Sequence, residues 1–239
     1  MKISILSIFP EMFEGFINTS IIKKAVLKGL VEIELVDFRQ FTLDKHNRVD
    51  DSPYGGGAGL VLKYEPIVRA LKTIQTEDSY TILMSPVAPV YKQAKARSFA
   101  NKKHLIIICG HYEGVDERVL VHVDESVSVG DFILTGGEIG AMLVSDSIIR
   151  LLDGVISDDS IIDESFEDGL LEYAQYTKPQ VIDDLAVPDV LISGHHENIN
   201  NYRHADSLIR TYVNRPDLID NYQLTEKDVA ILNEFKAGQ

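Results

Sequence analysis

Residues Leu105–Glu138 read LIIICGHYEGVDERVLVHVDESVSVGDFILTGGE. Leu105 to Cys109 are apolar without a break, and Gly110 stops them. The run is too short for a membrane span and fits a strand buried on both faces, as in a parallel sheet. Ser126 to Val129 predict a second strand, stopped by Gly130, and a short apolar segment then leads into Thr135-Gly136-Gly137-Glu138. Glycine turns thus follow apolar segments three times. In open parallel sheets ligands sit beyond the carboxyl ends of the strands. Glycine there lets backbone N–H and C=O groups approach a ligand with no side chain between. With His111, Tyr112, Glu113 and Asp131 beside these glycines, the stretch predicts a pocket lined by backbone. No G-x-G-x-x-G and no G-x-x-x-x-G-K-[ST] occurs, which excludes the Rossmann and P-loop fingerprints.

Working outward, strands are expected over Lys2–Phe9, Val31–Phe38 and Tyr80–Met84. Helices are expected over Glu11–Gly29, with Ser20 a candidate N-cap and Gly29 the stop, and over Glu65–Ile74, Lys92–Ala100 and Gly140–Leu152. Residues 44–59 form a long polar, glycine-rich loop, a kind that is usually functional or disordered. Ile156–Glu172 is acidic with weak periodicity and reads as a mobile linker. Asn198–Asn214 has helical spacing, with Arg203 and Arg210 on one face, and Thr225–Asp228 opens a last helix with a capping-box pattern. Strands alternating with helices, then a helical tail, give an α/β domain plus a small helical domain. The expected division is 1–155, a flexible linker over 156–173, and 174–239.

The chain of 239 residues is 45% hydrophobic, enough for a substantial core. Its one cysteine, Cys109, lies in the most apolar strand and is expected to be a core residue. A single cysteine excludes an internal disulfide and fits the reducing cytoplasm. No segment has the form of a signal peptide or a membrane helix. A formal net charge of −14 argues against non-specific nucleic-acid binding, so a polyanion would need a local basic surface. Histidine and cysteine spacing shows no metal-ligand pattern, so no metal site is expected from the residues.

CGHYEGVDERV and SVGDFILTGGE, with SIFPEMF at 7–13, KHNRVDDSPYGGGAGL at 45–60, LLEYAQYTKP at 170–179 and VPDVLISGHHE at 187–197, resemble the bacterial tRNA (guanine-N1)-methyltransferases. These are a branch of the SPOUT superfamily, and the blocks run in family order over nearly the whole chain. The resemblance implies a parallel sheet closed by a deep trefoil knot, which no local pattern would suggest. It implies S-adenosyl-L-methionine held by Pro86, Ala88, Gly110, Glu113, Val129, Gly130, Asp131, Phe132, Ile133, Leu134, Gly136 and Gly137. It implies methyl transfer to N1 of the guanosine 3′-adjacent to the anticodon, with the 174–239 domain on tRNA.

Deprotonation of N1 calls for a carboxylate in hydrogen-bond reach, and charge growing on O6 calls for a guanidinium. The family's motif puts these at Glu164, before Ser165-Phe166, and at Arg150. The family commonly has aspartate before Ser-Phe; this chain has Glu164 with Asp163 one place earlier, and both stay candidates for the base. His111 and Lys178 also stand where arginine is common. His46, Asp50 and Ser165 match the guanosine side, and Arg203 a phosphate contact. Dependence on Mg²⁺ and an obligate homodimer with the active site between subunits enter by resemblance. The alternatives are a non-catalytic nucleotide- or RNA-binding α/β module, and a SPOUT methyltransferase acting on another RNA.

Overall fold

A computed structural model describes residues 1–157 and 164–238. The chain forms two compact units, Met1–Ile156 and Ser157–Gln239. In the first, strands β1 (Lys2–Ser7), β2 (Glu32–Asp37), β5 (Ser79–Met84), β6 (His104–Cys109) and β7 (Glu125–Val127) form one sheet in the order β2-β1-β6-β5-β7. Every neighbouring pair is parallel. Strands β3 (Asp50–Asp51) and β4 (Val61–Leu62) make a separate antiparallel pair. Helices α1 (Glu14–Ile17), α2 (Ser20–Leu27), α3 (Tyr64–Ile74), α4 (Gln93–Ala100) and α5 (Glu138–Ile149) complete the unit.

All six residues of β6 are buried. Leu105, Ile107 and Cys109 join a cluster that includes Phe99 of α4 and Ala141, Val144 and Ile148 of α5. Ile106 and Ile108 point the other way, to Ile67 and Leu71 of α3 and to Val119. An unbroken apolar run is what a strand covered on both faces requires, since each fully buried Ile or Leu contributes on the order of 1.5–3 kcal/mol.

Three local expectations differ from the structure. The Glu11–Gly29 stretch is not one helix: a 3₁₀ turn at Pro10–Phe13 leads into α1, and the chain breaks before α2. Asn18 Nδ2 donates to Glu14 O at 2.9 Å and Thr19 Oγ1 to Gly15 O at 2.7 Å, local bonds that compete with helix propagation. Thr19, not Ser20, therefore precedes α2, while Gly29 ends it with φ +70° as expected. Strand β7 ends at Val127, short of Val129. The Ser128 amide donates to Pro89 O and its carbonyl accepts from Tyr91 N, so the ladder partner changes from β5 to the segment leaving β5.

At the amino edge of the sheet His104, 6% exposed, bridges two hydroxyls. Its Nδ1 lies 2.9 Å from Ser79 Oγ and its Nε2 2.9 Å from Ser4 Oγ, while Ser4 Oγ donates to Glu34 at 2.7 Å. Four strands are tied by this chain of contacts.

The second unit contains a hairpin of β8 (Val181–Ile182) and β9 (Leu185–Ala186) and helices α6 (Asp189–Ile192), α7 (His196–Asn214), α8 (Pro216–Ile219) and α9 (Glu226–Ala237). Leu170, Leu208, Ile219 and Leu232 form its core. The Thr225 side chain accepts from Asp228 N and Asp228 accepts from Thr225 N, which completes the capping box of α9. Of the acidic 156–173 segment, Leu171 N donates to Thr211 Oγ1 at 2.8 Å. Asp163 lies outside the described residues. Among the described residues no helix is long and apolar enough to cross a membrane.

Burial holds the His104 imidazole below its ordinary value, with Lys2 adding to the effect. A depressed histidine stabilises the fold fully above the unfolded value of about 6.5, and that contribution is lost as pH falls through the folded value. Thermal unfolding of the wild type should therefore shift to lower temperature as pH drops below about 6.5. His104→Gln should be less stable at neutral pH and lose that part of the acid dependence. An unchanged dependence would contradict the role given to His104.

Candidate functional site

A cavity of about 330 Å³ opens at the carboxyl ends of β5, β6 and β7. Three turns build it. The first leaves β6 at Gly110 and bends back through Tyr112, φ +57°, and Gly114, φ +133°. Glu113 N donates to Leu60 O, and Leu62 N to Gly114 O, so β4 and the residues before it clamp this turn. A Cβ on Gly59 would overlap the Glu113 side chain, which places the end of the glycine-rich 44–59 loop against Glu113.

The second turn follows β7. Ser128 Oγ accepts from Gly130 N at 3.2 Å, and Gly130 has φ +150°, a conformation that favours glycine. The chain then runs through Phe132 and Ile133, 54% and 80% exposed. The third turn brings it back across the sheet edge. His111 and Gly136 form an isolated antiparallel bridge, and Gly137 N donates to Gly110 O at 2.7 Å. A Cβ on Gly137 would stand 2.9 Å from Cys109 Cα, 2.9 Å from Gly110 N and 3.0 Å from Met84 Cβ. The returning chain therefore packs directly against the carboxyl ends of β5 and β6. Gly137 then caps α5, accepting from Ala141 N at 2.8 Å, so the positive end of that helix faces this edge.

Of the residues expected to hold a cofactor, Pro86, Gly110, Glu113, Val129, Gly130, Phe132, Ile133, Leu134, Gly136 and Gly137 line the cavity. Ala88 and Asp131 do not. Thr135 of the third turn lines it as well, with Val115 and Leu120, which no sequence pattern marked out. The remaining candidates stand elsewhere. His46 is exposed, its amide donating to Asp44, and Asp50 is half-buried on β3. Arg150 ends α5, its amide donating to Asp146 O. In the second unit Glu164 and Arg203 line a common recess of about 280 Å³. The Arg203 guanidinium lies 4.6 Å from the centre of the Tyr173 ring, and Ser165 Oγ accepts from Glu172 N. Arg210 is paired with Asp206 at 2.6 Å.

Two further side chains stand behind the third turn. Glu138, 1% exposed, begins α5, and Ser7 at the end of β1 donates to its Oε1 at 2.7 Å. A buried carboxylate is costly unless it is bonded, and a helix N-terminus lowers that cost. The available signals were an acidic residue opening an otherwise apolar helix and a serine ending an apolar strand. Cys109 is fully buried, and burial together with Glu138 pushes its thiol well above the ordinary range, consistent with a core residue.

Residues 1–221 match the family model described as tRNA (Guanine-1)-methyltransferase TrmD. The chain belongs to this family. Family membership agrees with the parallel SPOUT sheet and its C-terminal helices. A relative from Dictyoglomus turgidum, named tRNA (guanine-N(1)-)-methyltransferase, is 49% identical over 237 residues, covering 99% of this chain and 97% of its own. Relatives of the same name from Staphylococcus haemolyticus and Staphylococcus aureus are 48% and 49% identical over 99% and 100% of this chain, and 98% of each of theirs. In this tRNA (guanine-1)-methyltransferase family member the glycine turns quoted at the outset are the walls of the cavity.

Gly137→Ala should cost about 1–3 kcal/mol, because the new methyl meets backbone and cannot be relieved by a rotamer change. Gly15→Ala, where nothing lies within 4 Å, should be neutral or stabilising. Chemical denaturation of the two variants checks the difference. Equal stabilities would contradict the wedge at Gly137.

Proposed function

We propose that this chain transfers a methyl group from S-adenosyl-L-methionine to N1 of guanine in tRNA, at the guanosine 3′-adjacent to the anticodon. The observation that carries the reading is the cavity walled by the Gly110, Gly130 and Gly136-Gly137 turns, in a chain whose relatives are named for that reaction. The same names disfavour a non-catalytic module and a methyltransferase for another RNA.

The residues present fit the donor. The cavity falls in the size range of small-molecule sites. Backbone amides at Val129, Ile133 and Leu134 would bond the adenine edge, and the side chains of these residues would cover its faces. When bound, S-adenosyl-L-methionine supplies an electrophilic methyl carbon on a positively charged sulfur. Glu113 would stand as a counter-charge at the cavity. Glu164 or Asp163 would take the N1 proton as that nitrogen attacks, and Arg150 would offset the charge developing on O6. The added methylene of Glu164 displaces its carboxylate by roughly 1 Å relative to aspartate, so Asp163 stays a candidate. His46, Asp50 and Ser165 would contact the guanosine, and Arg203 a phosphate, a contact that positions without specifying.

The functional form is a homodimer in which the linker carboxylate serves the donor cavity of the partner subunit, and the compartment is the cytoplasm. Among the described residues no group of three or more His, Cys, Asp or Glu side chains converges as a metal site.

Mass spectrometry of unmodified tRNA after incubation with protein and donor tests the activity and its position together. Methyl at N1 of the guanosine 3′ to the anticodon is expected; no methyl, or methyl elsewhere, contradicts the reading. Single-turnover rates with Glu164→Gln, Asp163→Asn and Arg150→Ala test the roles. Arg150→Ala and one of the two carboxylate variants should fall at least about a hundredfold. Near wild-type rates in all three would refute the assignment.

A further inference from the structure

Glu138 and His111 meet at the cavity wall without completing a bond. The Glu138 side chain is 2% exposed and that of His111 18%. Glu138 Oε1 is taken by Ser7, but Oε2 faces His111 Nδ1 at 3.7 Å, too long for a hydrogen bond. His111 Nδ1 is buried and has no hydrogen-bond partner. The ring itself is held, edge-on to Phe9 at 5.1 Å and to Tyr112 at 4.8 Å. His111 lines the cavity, as does Gly136, where a Cβ would overlap both Glu138 Oε2 and His111 Nδ1. Glu138 thus stands directly against two cavity-lining residues, one of them bare backbone.

We propose that the His111–Glu138 pair is a proton-controlled counter-charge that discriminates the cationic methyl donor from its uncharged thioether product. The proposal rests on the reading of the cavity as a methyl-donor site. A protonated His111 neutralises Glu138, and a neutral His111 leaves its negative charge to act on whatever fills the cavity. A sulfonium and an imidazolium thus compete for one carboxylate, so donor binding releases a proton. Methyl transfer turns the sulfonium into a thioether and discharges the N1 proton. The attraction to Glu138 then lapses and His111 can be reprotonated, which favours product departure.

The surrounding charged and titratable groups do not replace this pair. Cys109 on β6 is held as a neutral thiol. Arg39 stacks on the far partner, Phe9, at 5.0 Å. Glu113 and Glu117 are solvent-exposed, which weakens their field, and Asp116 is paired with Arg118 at 2.6 Å. Glu138 is the carboxylate in a low-dielectric position, where charge acts furthest.

The test is calorimetric binding of S-adenosyl-L-methionine and, separately, S-adenosyl-L-homocysteine, from about pH 5.5 to about pH 8, where imidazole changes charge. The wild type should bind the donor more tightly as pH rises, by roughly five- to tenfold, with proton release visible as a buffer-dependent enthalpy. The thioether should show little change. His111→Arg, which fixes the positive charge, should bind the donor with no such dependence and near the wild-type low-pH affinity. His111→Gln should likewise lack the dependence but match the high-pH affinity, and it serves if the arginine variant does not fold. A donor curve flat with pH, equal curves for donor and thioether, or a dependence that survives in the folded His111 variants would overturn the pair's role while leaving the methyl-donor reading intact. Failure of the wild type to bind either compound would overturn both.

Discussion

The close approach of Gly137 to the ends of β5 and β6 is the constraint on which the first unit turns. Its hydrogen bond to Gly110 O and the lack of room for any Cβ fix where the returning chain crosses the sheet edge. That crossing sets the start of α5, and α5 in turn covers one face of β6 through Ala141, Val144 and Ile148. The same crossing puts Gly136 on the cavity wall and Glu138 behind it. A larger residue at position 137 would disturb core packing and cavity shape together, so stability and binding are coupled at one backbone position.

Much of this was legible in the sequence because burial on both faces leaves a plain signature. The Leu105–Cys109 run could hardly be anything but a central strand, and the glycines marked where backbone had to come close. The limits of β7 were not legible. Val129 is as apolar as Val127, and only the switch of Ser128 to Pro89 and Tyr91 ends the strand. The break before α2 depends on two side chains turning to their own backbone, at no cost to composition. Glu138 lay in full view within TGGE, yet its burial depends on Ser7, more than a hundred residues away in the chain. Ala88 came from the resemblance alone and Asp131 from its place beside a glycine turn, and neither lines the cavity. Spacing cannot say which of two neighbouring loop residues faces inward.

Charge gives the proposed chemistry its particular form. A chain with a net charge of −14 is poorly suited to hold a polyanion but well suited to hold a cation. Under the proposed function the acidic lining residues Glu113, Asp116 and Glu117 would favour a sulfonium, and RNA binding would have to rely on local cations. In the proposed function Arg203, stacked on Tyr173 beside Glu164, would be one such cation, while Arg210 is paired with Asp206.

The central claim is that bare backbone at these three turns grips the methyl donor. Amide hydrogen exchange with and without S-adenosyl-L-methionine tests it most directly. The account expects slowed exchange at residues 110–114 and 128–137, with little change at the amino edge of the sheet around His104. Protection that leaves both turns untouched, or that centres on another part of the chain, would contradict it.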